Sequence, residues 1–161
     1  MPLNASSLAD SLQRLFESKP ASSADAAMAW ANAYQSYASA ALSSAASLPV
    51  TAPANFGLLM TAFQGLSAMA PMAAAAIVAQ GVTGYWQAMV WAGPTAAGTT
   101  AFPGNPTLAT ALAAVFSDLS DKSPAQKAQD IASAFDAGAR MVIVSDVPIV
   151  QPAPPIVGPI V

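Results

Sequence analysis

The chain contains neither histidine nor cysteine. Without histidine it lacks the commonest general base and metal ligand, so a conventional Ser-His-Asp triad is excluded. Without cysteine there is no disulfide framework, thiolate metal site or thiol nucleophile. Charge is scarce as well: eight acidic and five basic residues among 161, for a net charge of −3. The basic residues, Arg14, Lys19, Lys122, Lys127 and Arg140, are scattered. They form no stripe that could neutralise successive phosphates, so no nucleic-acid partner is expected. The largest absence is internal, because the 92 residues from Ala26 to Ser117 include no Asp, Glu, Lys or Arg. A free domain disperses charge to stay in water and apart from its neighbours. A surface without charge is therefore expected to be covered by other subunits or by lipid.

What is present is mostly alanine, 40 of the 161 residues, which buries little area per side chain. Larger anchors recur at helical spacing. Leu8, Leu12, Leu15 and Phe16 predict a first helix with Asn4, Ser6 or Ser7 as its cap. Ser22 or Ser23 opens a second, with Asp25 at the positive end of its dipole, running to about Ser47 before Pro49. Pro53 starts a third, with Phe56, Leu59, Met60, Phe63 and Leu66 on one stripe. Met72 to Trp91 reads as a fourth, stopped by Gly93-Pro94, and residues 93–105 as a long loop. Asn105-Pro106 and Ser123-Pro124 are matching starts for a fifth and a sixth helix. The fold expected is all-α: about six helices in one bundle-like domain over residues 1–140, with a short extended or β segment at Met141–Val144. Residues 141–161 are expected to form an extended, apolar, Pro-rich C-terminal arm. From Val147 onward its five prolines argue against a helix or a central strand, and its apolarity suits docking on a neighbouring subunit.

Catalytic and ligand-binding patterns give way to simpler readings. Ser123 and Lys127 are four residues apart but fit a helix cap and a solvated amine. Asp118/Asp121 and Asp130/Asp136 read as solvated surface carboxylates. Gly81-Val-Thr-Gly84 lacks the strand and the third Gly or Lys of a phosphate loop. The Trp30, Tyr34, Tyr37 stripe reads as core. No enzyme activity, cofactor or metal is expected. Tyr85 and Trp86 point about 100° apart on a helix, with Trp91 further round, so part of this cluster is expected to face a partner. The expected partner-interface residues are Tyr85, Trp86, Trp91, Phe102, Val142, Val144, Ile149, Val150, Ile156, Val157, Ile160 and Val161. A 20-residue apolar stretch such as Met72–Trp91 is long enough for a bilayer. Its alanines, glycines, Gln80, Thr83 and Gln87 make insertion weak, and a membrane partner is the lesser alternative, as a lysis or pore-forming protein. Asp10, Arg14 and Glu17 interrupt the first apolar pattern, so no signal peptide is read and synthesis in the cytoplasm is expected.

Tyr85-Trp86, the turn Phe102-Pro-Gly-Asn-Pro106, Leu112-Ala-Ala-Val-Phe116, and Met141-Val-Ile-Val144 leading into Pro154-Pro-Ile-Val-Gly-Pro159 carry a resemblance. With them the chain resembles the small, Ala-rich, Cys-free virion structural proteins of tailed bacteriophages. The resemblance implies a repeated, non-catalytic subunit of a neck, tail or capsid. Its partners would be copies of itself and other virion proteins, its location the virion. Trp91-Ala92-Gly93 is also similar to the Trp-x-Gly turn of a secreted helical-hairpin family. The acidic residue which that family carries after a downstream tyrosine is impossible here, since Tyr85 is the last tyrosine.

Overall fold

Six helices and five short strands occupy the residues that the computed structural model describes, 3–42, 50–52, 56–92, 96–148 and 156–161. The helices are α1 (Ala5–Ser18), α2 (Ser23–Ala38), α3 (Phe56–Phe63), α4 (Pro71–Gln87), α5 (Asn105–Ser117) and α6 (Pro124–Ala139). The strands are β1 (Val50–Ala52), β2 (Val90–Ala92), β3 (Ala96–Ala101), β4 (Ile143–Pro148) and β5 (Ile156–Pro159). The fold is mostly helical with a small antiparallel sheet, and not all-α.

Local chemistry sets the helix starts. Asn4 Oδ1 accepts from the backbone N–H of Ser6 and Ser7, at 3.0 and 3.2 Å. Ser22 Oγ accepts from Asp25 N–H, and Ser123 with Gln126 closes a reciprocal capping box at α6. Pro occupies the first turn of α4, α5 and α6, where its missing N–H costs nothing. Asn105, read from sequence as the cap of α5, lies inside that helix, and its amide donates to Thr83 Oγ1 at 2.7 Å. The second helix ends at Ala38, short of Ser47, and residues 43–49 lie outside the described residues. The third ends at Phe63, ahead of Gly65 in a left-handed conformation and a 3-10 turn at Leu66–Ala68.

Each helix packs on the next in sequence, and α6 returns to α1, so the six form a closed cycle. Short connections make neighbours antiparallel. α2, α4 and α6 run toward the sheet, while α3 and α5 begin beside it and run away. The interior is aromatic: Tyr34 and Phe135 lie 4.9 Å apart, Trp30 stacks on Phe63 at 5.3 Å, and Tyr85 meets Tyr34 edge-on. Trp86 stacks on Trp91 of β2 at 6.3 Å, joining the helices to the sheet.

The sheet is an antiparallel meander in the order β1-β2-β3-β4-β5. It corrects three expectations. Trp91 lies on β2 and not on the fourth helix, which ends at Gln87. Residues 96–101, read as loop, pair along their whole length with β4, from Ala96↔Pro148 to Ala101↔Ile143. The segment expected as an extended arm docking on a neighbouring subunit is extended where described, but it enters the chain's own sheet at both described ends. β4 lies between β3 and β5, with Pro148 only at its last position, and β5 is the last strand in the order, where Pro159 is tolerated. Ile160 N–H donates to Val142 O, and Val161 exchanges two backbone bonds with Leu42, at 3.0 and 3.1 Å. The boundary expected at residue 140 therefore separates no packing unit among the described residues.

One glycine fixes the α3–α4 distance. A Cβ at Gly81 would sit 2.3 Å from Ala62 Cβ and 3.2 Å from Leu58 O. An exposed mid-helix Gly→Ala change gains up to about 1 kcal/mol, but here the helices must separate. Gly81→Ala is expected to lower stability by about 1–3 kcal/mol, read from the midpoint of denaturant unfolding.

Candidate interaction surface

Most residues expected to face a partner are core residues. Tyr85, Trp86, Trp91, Val142 and Val144 are fully buried, and Phe102 and Ile160 are nearly so. α4 is enclosed by α3, α5 and β3, and its Tyr85 also meets Tyr34 of α2, so side chains 100° apart are both covered by the chain itself. The Trp86 indole N–H donates to the Tyr34 hydroxyl at 2.8 Å, and that of Trp91 to Thr100 Oγ1 at 2.7 Å. Val157, 59% exposed, and Val161 are the members of the expected set that reach solvent among the described side chains. Ile149 and Val150 lie outside the described residues, and Ile156 is placed by its pairing with Asp146.

The polar candidates resolve into structural roles, one of them not foreseen. Ser123 Oγ is engaged by Gln126 N–H as a cap. Lys122 Nζ bridges Asp118 and Asp130, 2.6 Å from each. The Lys122 hydrogen bond holds the Asp118 carboxyl well below the usual carboxylate range, and the same bond raises Lys122. Asp136, expected to be solvated, is only 15% exposed. It accepts from the Tyr37 hydroxyl at 2.7 Å and pairs with Arg140 Nε at 2.7 Å, joining α2 to α6. Burial first, and then this bond to Asp136, push the Tyr37 phenol far above its ordinary value. The Tyr85 hydroxyl is buried with no hydrogen-bond partner among the described residues, and burial pushes it up to about 12. Among the described residues, no group of acidic side chains could hold a metal ion, and no helix is long and apolar enough to cross a membrane.

Ten of the thirteen charged residues lie on α1 or on α6 and its flanks; the others are Lys19 at the C-cap of α1, Asp25 in the first turn of α2 and Asp146 on β4. α1 carries Asp10, Arg14 and Glu17. α6 and the turn before it carry Asp118, Asp121, Lys122, Lys127, Asp130 and Asp136, with Arg140 at the C-cap. α3, α4, α5 and β1–β3 carry none. In the cyclic order α1 and α6 adjoin, and α3 and α4 lie across from them. The uncharged side meets water with polar residues such as Thr61, Gln64, Gln80 and Gln87 and also with apolar ones. Leu58 of α3 and Met69 before α4 are exposed, and Met72 in its first turn is 76% exposed.

Sequence reasoning missed a groove at the end of the cycle remote from the sheet. It has a volume of about 410 Å³ and lies between the start of α2, the end of α3, the 3-10 turn, the start of α4 and the end of α5. Trp30, Phe63 and Phe116 supply its aromatic surface, Leu66, Met69 and Pro71 its apolar rim, and among the described residues no charged side chain lines it. Each aromatic was legible as part of an apolar stripe. Their convergence depends on which helix ends meet, which the stripes do not specify. No protein family, curated protein or solved structure matches the chain.

Proposed function

We propose that the protein is a non-enzymatic structural subunit of a large assembly, of the kind that builds the neck, tail or capsid of a tailed-bacteriophage virion. The observation that carries this reading is the one-sided charge distribution, with Leu58, Met69 and Met72 exposed on the charge-free side. A bundle-like helical body serves as the rigid part. Its α3–α4 side is the contact face toward other copies and other virion proteins, and the Pro-rich residues 149–155 of the C-terminal arm are a second, smaller anchor. Charge on α1 and α6 keeps the opposite side in water.

The mass of the native chain, by light scattering with and without a mild detergent, tests the reading. A defined multimer or particle in detergent-free buffer is expected. A monomer at every concentration contradicts it, and a chain that dissolves only with detergent transfers the uncharged face to lipid.

A further inference from the structure

The geometry points to a head-to-tail contact in which the Pro-rich connection 149–155 of one copy docks in the aromatic groove of the next. This deepens the assembly reading and rests on it. The groove is uncharged and faced by the rings of Trp30, Phe63 and Phe116, with Leu66, Met69 and Pro71 around them. Aromatic, charge-free grooves of this kind take proline-rich segments, whose restricted backbone loses little entropy on binding. The chain's matching Pro-rich segment is Ile149-Val-Gln-Pro-Ala-Pro-Pro155, in which Pro152 and Pro155 have P-x-x-P spacing and no residue is charged; Pro103 and Pro106 share the spacing but lie at the start of α5.

The described ends of that connection, Pro148 and Ile156, lie toward the far pole of the molecule. Ala101 leads through Phe102 into α5, and Ile143 follows α6, so the row Ala101–Ile143–Pro159 borders the helices. The row that ends at Ala96 and Pro148 is directed away from them, and β4 ends and β5 begins on that side. The groove lies at the opposite pole, at the starts of α2 and α4 and the ends of α3 and α5. α4 alone, with its 17 residues, separates the poles by about 26 Å. The path from Pro148 to Ile156 spans at most about 29 Å when fully extended. Reaching the groove of its own copy and returning takes about 50 Å, twice the length of such a helix. The occupant is therefore a second copy. Contact between different surfaces on the two partners is heterologous and propagates into a ring or a filament.

Two full-length variants test this by light scattering over a dilution series. Pro152→Ser with Pro155→Ser alters the connection, and Met69→Glu puts a carboxylate on the groove rim. Each is expected to raise the concentration at half-assembly by about tenfold or more, because a buried charge or a lost contact costs at least the corresponding free energy. An equimolar mixture is expected to form a two-chain species, since one intact groove and one intact connection remain. Wild-type assembly by either variant, or a mixture that restores nothing, overturns the docking and leaves the assembly reading standing. A wild-type chain that stays monomeric overturns both. Melting curves check that the variants fold. If one does not, a peptide of residues 147–157 added to the wild-type assembly replaces it: dissociation is expected, and an unchanged mass overturns the docking.

Discussion

Trp86→Ala is expected to lower the stability of the isolated chain by about 3–5 kcal/mol, the range for truncating a large buried aromatic. Trp86 is fully buried, stacks on Trp91 and donates its indole N–H to Tyr34. Its removal opens a cavity between α4 and the sheet and withdraws the indole donor from the Tyr34 hydroxyl. The substitution separates two roles. An interface tryptophan leaves the dilute monomer's unfolding midpoint nearly unchanged and weakens association, whereas a core tryptophan moves the midpoint at every concentration. Denaturant unfolding at high dilution, followed by circular dichroism, is expected to show the second pattern. A midpoint that does not move under those conditions returns Trp86 to the interface.

Alkaline titration is expected to have the other large effect. All three tyrosines of the chain, Tyr34, Tyr37 and Tyr85, are buried. Burial is the first cause that raises each phenol: Tyr85 to about 12, Tyr34 and Tyr37 further. A raised folded-state value means that the folded form prefers the neutral phenol. This contribution to stability is fully present below the unfolded value of about 10 and is lost as pH rises above it. Each tyrosine then removes about 1.4 kcal/mol per pH unit, and three together remove about 4 kcal/mol per unit. Absorbance of the phenolate is expected to stay flat through pH 10 and to appear in one step coincident with loss of helical circular dichroism. Three phenols titrating near 10 in a chain that remains folded would contradict the aromatic core.

The helices were legible in the sequence where side-chain chemistry marks their ends. The Asn4, Ser22 and Ser123 caps and the prolines of α5 and α6 are visible as strings, and the stripe Leu8, Leu12, Leu15 is buried as its period requires. The sheet was hidden for a physical reason. Ala96-Ala-Gly-Thr-Thr-Ala101 contains two β-branched residues and no aromatic one, so it reads as a turn-rich loop. It becomes a strand because β4, with Ile143 and Val144, offers it a partner from 45 or so residues further on, a pairing that no local pattern records. β5 was masked by Pro159, which an end strand of the order accommodates. Tyr85 and Trp86 do not read as core from sequence, because their 100° separation places one of them off any single stripe, whereas the fold covers α4 on several sides. Asp136 was misread for a related reason. Its neighbour Arg140 is visible four residues on, while the Tyr37 hydroxyl comes from 99 residues away in sequence.

Methionine oxidation of the native chain, compared between its concentrated and highly diluted states, tests most directly whether the uncharged side is a contact face. Met72 and Met69 report on that side, and Met141, exposed beside Arg140 where α6 ends, serves as the internal control. Met72 and Met69 are predicted to react readily when dilute and to become protected in the assembly, with Met141 reacting alike in both. Equal oxidation of Met72 in the two states, in a preparation whose mass shows assembly, would contradict the account by placing the contact elsewhere on the molecule.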